Sequence, residues 1–432
     1  MGPAPKLPLG GPVIETAQSV SLISPNYVQK FQCIGPACED TCCQAWDIGV
    51  DKATYDRYQL IPAEHLLRPL VDSHVVLRPE PRTAPNHAHI LLNDSLQCPF
   101  LSAEKWCGLQ KDLGPEYLSH VCATYPRVSH QVQEHMEQSL HLSCPEAARL
   151  VLLDENLLGD APTSHESYAH LGECFELHTA SAVAHPHFAE IRLFLVALLR
   201  DRQYPLWQRL FLIGMFSNRL HLFIANGETA QIPRLLRDFA QIAASGSLRP
   251  VMEGIPAQPA LQLSVVLKLI DMRMGRVLNS MRFLDCTKHF LDGIGYRPGL
   301  AVESFSPAYI HAHDNFYQPL MRAHPQMLEN YLLNAIFKSV FPFGTEAEPP
   351  ARSPSYSIEF LTLATHFALV KGLLIGMAGF HREAFSVDHV LLLIQAYGRM
   401  IEHHQQFAMQ VVRFLEERIT GNSVGIAMLL RN

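Results

Sequence analysis

The sequence predicts a mainly α-helical protein in which a small, irregular α+β, cysteine-rich metal-binding module precedes a multi-helix domain. Three observations predict it. Eight of the ten cysteines fall between Cys33 and Cys144. That stretch is punctuated by Pro and Gly and is short of helical periodicity. From about Ser164 onward, apolar residues recur at helical spacing, with no alternation of strands and helices that would signal a parallel sheet. At 432 residues, 48% of them apolar, the chain is long enough for two or three packed cores and too apolar to be disordered. The expected division is a Pro/Gly-rich disordered N-terminus over 1–24, a cysteine module over 25–160 and a helical domain over 161–432.

Taken in order, Met1 to Ser24 lacks the basic stretch followed by an apolar core that marks a secretory leader. Within the module, two β-prone runs, His74 to Leu77 and His87 to Leu92, flank the Pro-rich Arg78 to Pro85 and predict a hairpin. A tight turn between Cys98–Leu101 and Trp106–Cys107 would bring two cysteines together. Pro205 opens an apolar helix, Leu206 to Ala225, which Asn226-Gly227 closes. Further helices are expected over Leu235–Ala244, Leu261–Phe283, Met327–Phe341, Ile358–Phe380 and Phe407–Ile419. Another begins at Ser386 as N-cap, with Val387, Val390, Leu391, Ile394, Tyr397 and Ile401 on its apolar face. Gly293 to Gly299 reads as a break, and Glu346 to Pro354 as an exposed loop.

No stretch offers the roughly 18 uncharged apolar residues of a membrane span. The nearest, Leu361 to Phe380, carries His366 and Lys371 and reads as a buried helix. The formal charge of -7 and the lack of any Lys/Arg run argue against a nucleic-acid partner. A soluble, cytoplasmic protein is expected, with neither nucleic acid nor membrane as partner.

In such a compartment a dense thiol cluster points to metal rather than disulfides. Cys33, Cys38, Cys42 and Cys43 are close enough in sequence to converge on one ion, and Cys98, Cys107, Cys122 and Cys144 bring the set to eight. Four thiolates complete a tetrahedral zinc site or hold a [4Fe–4S] cluster, so eight exceed one simple centre. One centre with spare cysteines, two centres, and buried or redox thiols all remain open, with iron favoured over zinc. The nearby His87, His89, His120 and His141 are irregularly spaced and read as surface residues. The Cys-x₃-Cys-x₂-Cys spacing of radical enzymes that cleave S-adenosylmethionine is absent.

The segments Phe31–Gly35, Cys38-Glu-Asp-Thr-Cys-Cys43, Trp46–Asp51, Cys98-Pro-Phe-Leu101, Cys122–Arg127 and Ser143–Glu146 resemble the flagellin lysine-N-methylase family, FliB. The N-terminal part also resembles the broader family of zinc- or iron-chelating cysteine-cluster proteins. Leu328-Glu-Asn-Tyr-Leu332, Phe337-Lys338, Phe341-Pro342 and Ile401-Glu-His403 extend the resemblance to the methylases, over about Tyr27 to Phe407. The resemblance implies transfer of methyl groups from S-adenosylmethionine to lysine side chains of flagellin, by a cytoplasmic protein carrying a [4Fe–4S] cluster.

Methyl transfer to lysine needs a neutral amine, whereas the free side chain has a pKa near 10.4, so a site must desolvate the ammonium or supply a base. From the matching segments the candidates are Glu329, Tyr331, Glu402 and His403 for catalysis and Asn330 for cofactor binding. Ordinary structural roles compete at each. His311-Ala-His313-Asp314 has the look of a metal-ligand pair but reads as surface. No glycine-rich strand–turn–helix is present, and Gly372, Gly376 and Gly379 read as sites of close helix packing. The alternative function is a non-enzymatic zinc- or iron-binding module that docks a protein partner; electron transfer is a third.

Overall fold

The computed structural model describes residues 21–132, 135–159, 163–165, 186–274, 280–344, 356–402, 410, 414 and 423–431. Helices dominate, as the sequence predicts. Strand β1 (Ser21–Ser24) comes first, its four residues drawn from the segment expected to be disordered, followed by the short α1 (Asn26–Gln29). β2 (Ile48–Val50), α2 (Lys52–Gln59), α3 (Arg68–His74), β3 (Val75–Leu77), β4 (Ala88–Ile90) and α4 (His120–Thr124) build the small module. β5 (Arg127–Val132), β6 (His135–Leu140), α5 (Pro145–Leu152) and β7 (Thr163–His165) lead into the helical part.

The expected hairpin forms, with Val75 opposite Ile90 and Leu77 opposite Ala88; β2 joins the other edge of β4 to give the order β2-β4-β3. Asp51 caps α2, accepting from Thr54 N at 2.9 Å, and its second oxygen accepts from His120 N at 3.0 Å. One carboxylate thus starts one helix and holds another. A second sheet, β5-β6-β1-β7, was not expected from the sequence. In it β1 runs parallel to β6, a pairing between segments more than a hundred residues apart.

The helical part comprises α6 (Phe188–Arg200), α7 (Leu206–Ala225), α8 (Ile232–Ser245), α9 (Arg249–Glu253), α10 (Pro259–Met274), α11 (Met281–Gly293), α12 (Ser306–Ala312), α13 (Gln318–Ala323), α14 (Gln326–Lys338), α15 (Tyr356–His381), α16 (Val387–Tyr397) and α17 (Ser423–Leu430). α7 has the bounds the Pro start and Gly stop predict. The single helix expected over Leu261–Phe283 is two, α10 and α11, the second started by Ser280, whose hydroxyl accepts from Phe283 N. The loop expected at Glu346–Pro354 lies outside the described residues, as does most of the Phe407–Ile419 segment. Ser386 caps α16, and its own N–H donates to His389 Nδ1 at 3.1 Å.

α15 is the axis of this part, packed against α7, α10, α11, α12, α16 and α17. By length and composition it could cross a membrane, yet 83% of its apolar window is buried inside the protein. Its glycines permit that burial. A Cβ on Gly376 would lie 2.2 Å from Phe290 Cδ2, one on Gly372 2.7 Å from Val266 Cγ2, and one on Gly379 2.7 Å from Gly293 O.

Two hydrophobic cores result. The small one gathers Ile48, Val50, Tyr58, Ile90, Cys98 and Phe100. The large one runs through the helical part and takes in Tyr27, Val132, Leu140 and Cys144. Tyr27 Oη donates to Asn334 Oδ1 at 2.9 Å, and Asn334 Nδ2 to Leu140 O at 2.9 Å, so α14 fastens α1 and β6.

A candidate metal cavity with eight thiols

All eight cysteines between Cys33 and Cys144 line one cavity of about 460 Å³. They are free thiols, with no disulfide among the described residues. Three local devices shape the cavity. Gly35 opens a 3₁₀ turn between Cys33 and Cys38 at φ +52, and a Cβ there would sit 2.9 Å from the ring of Trp106, which lies over it. Across the expected tight turn, Leu101 bridges to Cys107, with Gly108 N donating to Phe100 O at 2.7 Å. Cys98 N donates to Cys43 O at 2.8 Å, which joins that turn to the first cysteine loop.

The first cysteine loop is held from the far end of the chain. Arg399 pairs with Asp40 Oδ1 at 2.8 Å and donates to Thr41 O at 3.1 Å and Gln44 O at 2.7 Å. Gln395 Nε2, on α16, donates to Asp40 Oδ2 at 2.7 Å and Ser143 O at 2.9 Å. Sequence reading missed both residues. Their only local signal is a polar side chain inside an otherwise apolar helix, which does not say what it reaches.

The thiols are electrostatically unequal. Burial pushes the thiols of Cys98 and Cys107 up, Cys122 to about 12 and Cys144 to about 11. Cys43 goes the other way, to about 7, because the Cys42 thiol donates to its sulfur, with help from Thr41 and Arg399. Cys42, the donor, is raised by the same contact. A neutral thiol in a dry cavity is costly to ionise, and a bound cation removes that cost.

The donor set fits a thiolate-bound metal group. Among the described residues no three His, Cys, Asp or Glu side chains gather tightly enough for one ion. Tetrahedral zinc at about 2.3 Å from each sulfur would bring sulfurs within about 4 Å of one another. Thiolates are also the donors that an iron–sulfur group takes.

The candidates from the helical part separate into two groups. Tyr331 and Glu402 meet: Tyr331 Oη donates to Glu402 Oε1 at 3.0 Å, and Lys338 Nζ donates to Oε2. Burial alone would raise the Glu402 carboxyl, but Lys338, His366 and the Tyr331 hydrogen bond outweigh it and hold it at about 2. A carboxylate that acidic is a weak base, so the network acts as a buried ionic lock joining α14 to the chain beyond α16. His366, brought down to about 4 chiefly by burial, stands beside it with Nδ1 2.6 Å from Tyr397 Oη. His403 lies outside the described residues.

Glu329 and Asn330 are each engaged in contacts within the fold. Glu329 is buried, bound in parallel by Arg202 at 3.0 and 3.0 Å and by Arg209 at 2.7 Å. Two guanidiniums neutralise its charge and occupy three of its roughly four lone-pair sites. Asn330 Nδ2 donates to Val151 O at 2.8 Å and Asp154 O at 2.7 Å, spending its amide hydrogens on the end of α5. In the His311–Asp314 run, His313 is buried rather than on the surface, with Nδ1 2.7 Å from Asp314 Oδ1.

A family model described as the FliB lysine N-methylase C-terminal domain matches residues 192–429, more than half of the chain. A lysine-N-methylase of Salmonella typhimurium strain LT2 is 33% identical over 145 residues, 33% of this chain and 35% of that protein. One from Salmonella choleraesuis strain SC-B67 matches to the same extent. The flagellar biosynthetic protein FliU of Salmonella muenchen is 32% identical over 145 residues, 33% of this chain and 82% of that protein. The chain thus matches about a third of the length of the two methylases. No solved structure matches it.

Proposed function

Because the chain belongs to the FliB lysine N-methylase family, we propose that it transfers methyl groups from S-adenosylmethionine to lysine side chains of flagellin in the cytoplasm, and that its eight-thiol cavity holds an iron–sulfur centre of the [4Fe–4S] type. The observation that carries the reading is the family match across the helical part, 192–429. Relatives named lysine-N-methylase support the reaction, and the flagellar name of FliU supports the substrate.

The reaction breaks the bond between the methyl carbon and sulfur and forms one from that carbon to the lysine nitrogen. The electron pair leaves with sulfur, which becomes a neutral thioether, and the amine loses one proton to solvent. Both partners begin cationic, so a dry site disfavours the ammonium and favours the neutral nucleophile. The cavity wall provides such a surface: Trp46, Trp106 and Tyr125 line it, and aromatic faces attract a sulfonium or ammonium. Trp46 is oriented by donation of its ring N–H to Cys42 O. Cys residues of the cavity would hold the cluster, whose contribution when bound is to cross-link chain segments otherwise joined by loops. Arg399 and Gln395 keep the first loop in place for it.

The test is full-length protein purified without oxygen, analysed for iron, sulfide and zinc, then incubated with S-adenosylmethionine and flagellin. Broad blue-violet absorbance and added methyl mass on flagellin lysines are the expected results. No added mass from a metal-replete preparation would overturn the enzymatic reading in favour of a metal-binding docking module, and a colourless zinc protein would overturn the cluster.

A further inference from the structure

The eight thiols are not equivalent around their cavity. Cys98 is part of the small core, and Cys43, Cys107 and Cys122 pack against it. Backbone hydrogen bonds tie three of these together, through Cys98 N to Cys43 O and the Leu101–Cys107 bridge. The fourth, Cys122, sits on α4, which packs against β2 of the same module. The other four lie outside that core. Cys144 caps the N-terminus of α5 in the large core, and Cys33 and Cys38 flank the Gly35 turn. Cys42 is exposed and lies outside the small core, whereas its neighbour Cys43 packs against it.

The two groups meet where the Cys42 thiol donates to the Cys43 sulfur.

We propose that the cavity is built for two four-thiolate metal centres side by side, an inner one on Cys43, Cys98, Cys107 and Cys122 and an outer one on Cys33, Cys38, Cys42 and Cys144. The proposal rests on the reading of these thiols as metal ligands and extends it to number and assignment. Four thiolates are the full complement of a [4Fe–4S] cluster, so two sets of four leave no thiol spare. The inner set belongs to one module. The outer set joins Cys144 of the large core to the first cysteine loop, and so would bind that loop to the helical part.

The experiment uses anaerobically purified full-length protein, with metal and acid-labile sulfide counted per chain in the wild type and in two double variants, C33S/C38S and C107S/C122S. Each double variant is expected to lose about half of the metal and to retain the other centre's absorption or paramagnetic signature. Loss of all metal from either variant would overturn the proposal, since one shared centre would then use both sets. Full metal retention in C33S/C38S would overturn it too. Should a variant not fold, alkylation of the metal-replete wild type decides. All eight thiols protected until a chelator is added supports two centres, and four reactive thiols in the loaded protein oppose them. None of these readouts needs methyl transfer, so a two-centre protein that fails to methylate flagellin sinks only the proposed activity. A one-centre methylase sinks only this inference.

Discussion

Lys371 sits in the middle of α15, buried, with its Nζ donating to Leu430 O of α17 at 2.9 Å. Burial brings its ammonium down to about 7. The unfolded chain, with an ordinary lysine, binds more protons than the folded one between about pH 7 and 10.5, so this group makes stability rise with pH across that window. Lys371→Met removes the desolvation cost and leaves one carbonyl unpaired. The net expectation is a gain of roughly 2–4 kcal/mol near neutral pH. The gap between the two proteins should narrow as pH climbs toward 10.5. Thermal unfolding at a series of pH values checks it; a gap independent of pH would show that Lys371 is already charged in the fold. The same residue illustrates what a sequence can disclose. A lysine inside an apolar run is visible, but its partner on α17 is a backbone carbonyl with no signature. Glu329 likewise stands out as a carboxylate in a family-like segment, and only its two arginines, more than a hundred residues upstream, reveal it as an anchor.

The crossing of α11 and α15 shows how an element is placed. Gly293 and Gly376 face each other so closely that a Cβ on Gly293 would come within 1.8 Å of Gly376 O. Gly376→Ala brings two opposed effects: about 1 kcal/mol gained in helix propensity, against a methyl placed 2.2 Å from Phe290 Cδ2 and 2.9 Å from Phe290 O. Overpacking against a backbone oxygen costs more than propensity returns, so the variant should be destabilised by roughly 2–3 kcal/mol. A denaturant titration measures it, and a variant as stable as the wild type would mean the crossing relaxes freely. The glycines were legible as packing sites because they interrupt an apolar helix, and α7 was legible down to its ends from Pro205 and Gly227. The parallel pairing of β1 with β6 was not, because each strand is short and satisfied only by a distant partner.

At the scale of the whole molecule, the cysteine loop and the C-terminal helices depend on one another through Arg399. Its guanidinium answers the buried Asp40 and two backbone carbonyls of the loop. Arg399→Ala leaves Asp40 with only amide donors, an uncompensated buried charge worth about 3–5 kcal/mol. Stopped-flow chelation should show metal leaving the variant at least tenfold faster, while far-UV circular dichroism keeps the helical signal. Unchanged release would mean the loop holds its shape without the helical part.

Local chemistry was sufficient for much of this protein. Eight thiols crowded into one irregular stretch, turn residues and 3.6-residue periodicity act over a few residues, and they determined a cysteine module followed by helices. What the thiols surround is a different matter. Which four pack on the small core, that Cys144 sits in the large one, and which carboxylates are neutralised all depend on contacts across hundreds of residues. Burial and charge pairing set those roles, and both exist only once the chain has folded back on itself.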